Sequence, residues 1–265
     1  MKLLAVLGDP IAHSLSPLMH NYVYQKNAID AIYTRLRIAD GKRLREVFEA
    51  NDLYGANITV PHKEEAFRLA DEVSQTAEKI GAVNTWVRNG ARIIGHNTDA
   101  EGFMSAAAIK SGETALVLGA GGAARAVAIA LLERGIDFAV LNRSADRLAF
   151  FERCGARVFL WENPPNERFD LIINTTSAGL KDDSLPLEIN ALENYLKSAK
   201  GAFDLIYGKK TPFLRLAEAL GVKAQDGEDM LVFQGAIAHS LFFGGDRTKI
   251  AQDMKTALRF PTLWL

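Results

Sequence analysis

Ala115-Leu116-Val117-Leu118-Gly119-Ala120-Gly121-Gly122-Ala123-Ala124 is an apolar run that breaks into glycines and continues as alanine-rich sequence. The apolar run reads as a buried strand and the alanine-rich stretch as a long helix, with a further strand ending at Asn142. This is a complete βαβ unit. In that setting the spacing GxGxxA, with alanine at the third glycine position, has a physical reading. Gly119 permits the tight turn, Gly121 lets backbone approach a pyrophosphate, and the helix N-terminus offers free N–H groups and a positive dipole end to the anion. Gly119, Ala120, Gly121, Gly122 and Ala123 are therefore expected to cradle a dinucleotide. A glycine turn without flanking strand and helix would not carry that reading.

The end of the next strand selects the dinucleotide, because NAD enzymes usually place an acidic residue there for the ribose 2′-hydroxyl. Asn142-Arg143-Ser144 occupies that position instead. Arg143, with Arg147 a helical turn later, can fork onto a 2′-phosphate that an acidic residue would repel. NADP is the expected cofactor.

Working outward, the pattern restarts from Glu113, and residues 109–234 are expected to form a Rossmann-like, doubly wound NADP-binding domain. Its further strands are Phe169 to Asn174 and Ala202 to Ile206, with loops at Pro164-Pro165 and Lys181 to Pro186. Upstream, Leu3 to Leu7, Ala31 to Ile38 and Ala56 to Val60 read as strands. Helices run from about Leu18 to about Gln25 and from about Lys42 to about Asn51, the first with Ser16 as N-cap and Pro17 at its first position. Glu64 to about Ile80 is helical in character. Val83 to Val87 and Arg92 to Asn97 form a strand pair around the Asn89-Gly90 turn, and Asp99 opens another helix. Residues 1–108 are thus expected to be an N-terminal α/β substrate domain with a mainly parallel mixed sheet. A C-terminal helix over 235–265 is expected to pack back on it.

Composition narrows the function. With 48% hydrophobic residues among 265, the chain can bury a real core. Thirty-one basic against thirty-two acidic residues leave a net charge of -1, so no global field recruits nucleic acid or anionic membrane. The expected partner is a small molecule, bound by a monomer or homodimer. A lone cysteine, Cys154, precludes an intrachain disulfide, reads as an inert thiol and fits a reducing cytoplasm. The apolar start ends at Gly8-Asp9-Pro10, too soon for a signal-peptide core or a spanning helix. His13, His20, His62, His96 and His239 lack ligand spacing, so they read as structural groups and no metal is expected. Trp86, Trp161 and Trp264 read as packing or surface residues.

Three clusters in the first domain resist explanation as packing. Ser14 and Ser16 put two hydroxyls beside a helix start, an arrangement that can hold a small carboxylate. Asn57 and Thr59 share one face of a strand, and Lys63 follows where open α/β sheets commonly place ligands. Asn84, and Asn97-Thr98-Asp99 with Asp99 at a helix start, add donors and acceptors suited to a polyhydroxylated ring. Each residue alone has a plainer reading: Ser16 or Asp99 as a cap, Lys63 as solvated surface.

Together these clusters resemble the shikimate dehydrogenase family over nearly the whole chain. The matching motifs are Ser14-x-Ser16-Pro17, Asn57-x-Thr59-x-Pro61-x-Lys63, Ala82-Val83-Asn84-Thr85, Asn97-Thr98-Asp99-x-x-Gly102, Gly119-x-Gly121-Gly122-x-Ala124 and Asn142-Arg143-Ser144. Asn174-Thr175-Thr176-Ser177-x-Gly179, Asp204-x-x-Tyr207, Thr211-Pro212-Phe213-Leu214 and Gly227-x-x-Met230-Leu231-x-x-Gln234 match as well. One departure is Tyr207-Gly208-Lys209, where such proteins often read Tyr-Asn-Pro.

The resemblance implies NADPH-dependent, reversible reduction of 3-dehydroshikimate to shikimate on the route to chorismate and the aromatic amino acids. It implies Ser14 and Ser16 on the substrate carboxylate, and Asn57, Thr59, Lys63, Asn84, Asp99 and Gln234 around the ring hydroxyls, with Tyr207 in the same pocket. Thr175 and Ser177 would approach the cofactor, while Ile206 and Gly227 would flank its nicotinamide. Reducing a ketone requires a proton on oxygen as hydride reaches carbon, so Lys63 and Asp99 are the expected catalytic pair. The alternatives are a quinate/shikimate dehydrogenase using NAD(P), and a non-catalytic dinucleotide-sensing module on the same fold.

Overall fold

A computed structural model describes residues 1–260. It divides into two compact units, Met1–Gly102 with the segment from Val232 onward, and Phe103–Leu231.

The first unit begins with β1 (Lys2–Gly8), α1 (Ser16–Lys26), β2 (Ala31–Arg37), α2 (Leu44–Ala50) and β3 (Gly55–Ile58). It continues with α3 (Lys63–Leu69), β4 (Glu72–Val73), α4 (Gln75–Ile80), β5 (Thr85–Asn89) and β6 (Arg92–His96), and the chain leaves it through α5 (Asp99–Ala106). The six-stranded sheet has the order β2-β1-β3-β5-β6-β4. β1 pairs parallel with β2 and β3, whereas β5 is antiparallel to both β3 and β6.

β1 reads as an unbroken apolar run because both its faces are covered. Leu4 and Val6 pack with Tyr24, Tyr33, Ala238 and Phe242, while Ala5 and Leu7 belong to a second cluster with Phe48 and Trp86. Phe48 and Trp86 meet edge to face, with ring centroids 5.5 Å apart, and the indole N–H donates to Ala66 O at 3.0 Å. Trp86 is thus a core residue. Phe242 lies so close over β3 that a Cβ at Gly55 would fall 2.5 Å from its ring, which explains a glycine in mid-sheet.

The second unit contains β7 (Thr114–Leu118), α6 (Gly122–Glu133), β8 (Asp137–Asn142), α7 (Ala149–Arg153) and β9 (Arg157–Leu160). β10 (Leu171–Asn174), α8 (Ile189–Ser198), β11 (Gly201–Asp204), α9 (Pro212–Ala219) and β12 (Lys223–Gln225) follow. All pairings are parallel, in the order β12-β11-β10-β7-β8-β9. This is the doubly wound order, and it reverses between β7 and β10. α10 (Glu228–Phe243) returns the chain to the first unit, where α11 (Arg247–Arg259) packs on α1. Among the described residues no helix is long and apolar enough to cross a membrane.

Three sequence expectations change. The helix expected over Glu64 to Ile80 is two short helices around β4. Asp71 there accepts from Ile93 N at 2.8 Å and from Arg45, which holds the chain extended beside β6, and Ser74 then caps α4. The helix expected over 235–265 begins earlier and breaks at Gly244 and Gly245, with φ of 76° and 101°, before Asp246 caps α11. Residues 261–265 of that expectation, Trp264 included, lie outside the described residues. Ser16 is not the N-cap of α1: Leu15 holds that position without a side-chain hydrogen bond, and Ser16 is already helical.

Candidate functional site

In the first unit, helix starts and strand ends bring polar side chains into one buried network. Lys63 opens α3 and Asp99 opens α5, where a carboxylate complements the helix dipole. Lys63 Nζ donates to Asp99 Oδ2 at 2.7 Å, the two side chains being 14% and 7% exposed. Asp99 Oδ1 accepts from Asn84 Nδ2 at 2.9 Å. The Asp99 N–H donates to Asn97 Oδ1 at 3.0 Å, and Asn97 Nδ2 in turn donates to Ala82 O at 2.9 Å. The Val83 N–H donates to Lys63 O at 2.9 Å, tying the lysine backbone to the segment that carries Asn84. Ammonium and carboxylate are therefore held in one mutual orientation.

Behind this pair the network runs across the sheet. Asn84 Oδ1 accepts from the Thr98 N–H at 2.8 Å and from Thr85 Oγ1 at 3.0 Å, and Thr85 Oγ1 accepts from Asn57 Nδ2 at 2.9 Å. Tyr33 OH donates to Asn57 Oδ1 at 2.6 Å. Thr98 Oγ1 and Gln234 Oε1 lie 3.3 Å apart, and a Cβ at Gly102 would fall 2.8 Å from Gln234 Cβ, so glycine lets α10 approach α5. Thr59 lies just past the end of β3, its N–H on Leu7 O and its methyl over Gly8. The strand face it was expected to share with Asn57 ends at Ile58.

Ser14 and Ser16 are buried with their hydroxyls 3.3 Å apart, and the Ser16 N–H donates to Ser14 Oγ at 3.3 Å. Arg35 forks onto the Ser14 carbonyl through Nε at 2.9 Å and a terminal nitrogen at 2.5 Å. The result is a pinned turn with two hydroxyls and a nearby guanidinium, the chemistry of a carboxylate anchor.

The second unit carries the nucleotide elements. Gly119 has a φ of 103°, and a Cβ there would fall 2.8 Å from Thr175 Oγ1, so the turns after β7 and β10 meet at the point where strand order reverses. Thr175 is held there by its N–H and Oγ1, both donating to Leu118 O, at 2.9 and 2.7 Å. Gly121 is the N-cap of α6 and contributes no side-chain acceptor, and a Cβ on it would meet nothing within 4 Å. Open space at an uncapped helix start is a cradle a phosphate can fill. Ala120 is buried, Gly122 and Ala123 half-buried. Asn142 ends β8 and donates to Ser144 O at 2.8 Å, while Arg143, Ser144 and Arg147 are exposed and Arg147 closes a short 3-10 turn. The residues present thus fit an NADP: an anion cradle and two arginines, with an amide in place of an acid at the end of β8.

Ser177 is exposed after β10, Ile206 is buried after β11, and Tyr207 is half-buried beside it. Tyr207 therefore falls within the second unit, whereas the other expected substrate residues fall within the first. A Cβ at Gly227 would collide with the Leu205 carbonyl. Buried Asp204 organises these turns: it accepts from Thr211 Oγ1 at 2.6 Å, from the Ile206 N–H at 3.1 Å and from Asn174 Nδ2 at 3.1 Å. Burial pushes its carboxyl above the usual range, and these donors oppose the shift. Burial likewise pushes the Cys154 thiol up, away from nucleophilic thiolate.

Sequence reasoning gave no role to Tyr33, Thr85 or Arg35, although all three are tied into the network or its flanking turn. The signal available was Tyr33 and Arg35 at alternate positions of a predicted strand, which by itself does not separate them from surface residues.

Comparison with known proteins adds to this geometry. The profile of the shikimate dehydrogenase substrate binding domain matches residues 6–86. The chain is 45% identical to a shikimate dehydrogenase (NADP(+)) of Helicobacter hepaticus, over 90% of both chains. A crystal structure of the Thermus thermophilus shikimate 5-dehydrogenase in complex with NADP(H) and shikimate is 40% identical, with a TM-score of 0.83, covering 97% of this chain and all of that one. The shikimate dehydrogenase of Aquifex aeolicus superposes with a TM-score of 0.85 at 34% identity, over 98% of both chains.

Proposed function

Because this chain belongs to the shikimate dehydrogenase family, we propose that it catalyses the reversible, NADPH-dependent reduction of 3-dehydroshikimate to shikimate, on the route to chorismate and the aromatic amino acids. The first unit takes the substrate and the second the cofactor. The observation that carries the reading is the buried Lys63–Asp99 pair at 2.7 Å, set in a network of amides and hydroxyls that suits a polyhydroxylated ring.

NADPH, when bound, supplies the hydride. Gly119, Ala120, Gly121, Gly122 and Ala123 would hold its pyrophosphate at the start of α6, and Asn142, Arg143, Ser144 and Arg147 its adenosine 2′-phosphate. Thr175, Ser177, Ile206 and Gly227 would line the nicotinamide side. Ser14 and Ser16 anchor the substrate carboxylate, while Asn57, Thr59, Asn84, Gln234 and Tyr207 engage ring hydroxyls. Lys63 Nζ gives a proton to the ketone oxygen as charge develops there and takes it back in the oxidation direction. Asp99 orients that ammonium and accepts from a ring hydroxyl. The single cysteine accords with an enzyme of a reducing cytoplasm, which we propose acts as a monomer or homodimer.

The test is an initial-rate assay of shikimate oxidation with NADP and with NAD, run beside quinate. Oxidation of shikimate with preference for NADP is the expected outcome. No turnover of shikimate with either cofactor would overturn the assignment.

A further inference from the structure

The polarity of the buried network has a definite source. The Thr98 N–H is a backbone donor that cannot reverse, and it fixes Asn84 Oδ1 as an acceptor. Thr85 Oγ1, 3.0 Å from that oxygen, must then donate to it, and so accepts from Asn57 Nδ2. The Asn57 amide is thereby turned with Oδ1 toward Tyr33, whose hydroxyl completes the chain as its last donor at 2.6 Å. Each member is buried: Tyr33 is 2% exposed, Asn57 7%, Thr85 0%, Asn84 3% and Thr98 1%. No bulk water is at hand to replace a missing donor.

The Tyr33 ring is itself held in place. It stacks on His20 with centroids 4.4 Å apart and planes 4° from parallel. His20 lies one helical turn beyond Ser16 on α1. Tyr33 therefore bridges the helix that carries Ser16 and the strand that carries Asn57.

We propose that Tyr33 is a positioning residue for the reaction: Asn57 Nδ2 is committed to Thr85 Oγ1 at 2.9 Å and to Asn84 O at 3.4 Å, and the Tyr33 hydroxyl fixes the plane of the amide at its other end so that the second lone pair of Oδ1 meets a ring hydroxyl in a fixed direction. This rests on the reading of Asn57 as a ring-hydroxyl contact. Without the phenol, Asn57 Oδ1 faces an apolar ring edge unpaired, and the amide, then held only through Nδ2, loses the fixed plane the substrate needs.

Tyr33→Phe keeps the ring and its stack on His20 and removes one hydroxyl. The Michaelis constant for shikimate should rise roughly tenfold, the equivalent of one buried hydrogen bond left unmade, with that for NADP unchanged. In an Asn57→Ala background the same substitution should have no further effect, because the residue it acts through is gone. Thr85→Val, which cuts the chain on the other side of Asn57, should reproduce the rise. Thermal melting of each variant separates this from a general loss of stability. A Tyr33→Phe enzyme with the parental Michaelis constant, or effects of Tyr33→Phe and Asn57→Ala that multiply, would overturn the proposal. A parent protein that fails to oxidise shikimate would instead remove the functional reading on which it rests.

Discussion

Lys63→Ala removes the amine that sits 2.7 Å from Asp99 and leaves the carboxylate, 7% exposed, with Asn84 Nδ2 as its remaining side-chain donor. At that separation and an effective dielectric of about 20, the direct attraction is about 6 kcal/mol, most of it offset by the desolvation of both charges. Losing one partner of such a pair costs about 3 kcal/mol of stability, moderated here by the amide that remains. Turnover should suffer separately: a positioned proton donor is worth roughly a hundredfold to ten-thousandfold, or about 3 to 5 kcal/mol of barrier. Asp99→Asn keeps the shape but removes the charge that orients the ammonium, so it too should lower turnover by about a hundredfold or more. If the pair works as a unit, the double variant is no slower than the slower single variant. The assay is initial-rate shikimate oxidation at saturating NADP for the parent, both single variants and the double, with urea melts to follow stability. Turnover of Lys63→Ala within about threefold of the parent would remove Lys63 from the chemistry, and losses that multiply in the double variant would show two independent residues.

Ser16→Ala should raise the Michaelis constant for shikimate with little change in turnover, since a carboxylate anchor acts in ground and transition states alike; a change confined to turnover in the same assay would contradict that role. Arg143→Ala should weaken NADP far more than NAD, as read from Michaelis constants for each, and equal losses would sink the 2′-phosphate assignment. Acid should destabilise the first unit through two buried histidines. Burial lowers His239 to about 4 and pushes His20 well below the ordinary 6.5, and each has a buried Nδ1 without a hydrogen-bond partner. Below pH 6.5 the unfolded chain takes up protons that the folded chain refuses, so stability is full above that pH and falls toward pH 4, by about 2 kcal/mol at pH 5 from His239 alone. Urea midpoints at pH 7 and pH 5 measure this, and His239→Gln should shrink the difference, His20 supplying the remainder; an unchanged difference in that variant would rule His239 out as a source.

The second unit was legible wherever the signal was local. A strand, glycine turn and helix in succession define the βαβ unit through neighbouring residues, and Gly119 and Gly121 sit where that pattern requires them. The short edge strands β9 and β12 are not legible because three or four residues, none of them fully buried, have no periodicity of their own. The helical look of Glu64 to Ile80 misled for a related reason: local propensity favours helix there, and the extended segment exists because Asp71 finds Ile93 N and Arg45 on distant parts of the chain. The C-terminal segment carried its break in plain view at Gly244-Gly245, with helix-forming sequence on either side.

The candidate site divides along the same line. The residue types and their order along the chain, from Ser14 through Lys63 and Asp99 to Gln234, are properties of the sequence, and it is their joint resemblance to one family, not any residue alone, that pointed to the chemistry. Which oxygen of Asp99 meets Lys63, how the Asn57 and Asn84 amides are turned, and that Tyr33 and Thr85 stand behind them were decided when β2, β3, β5 and α5 came together. A hydrogen bond's direction depends on partners brought from residues far apart in the chain, and burial makes each direction binding by removing the water that would otherwise satisfy either choice.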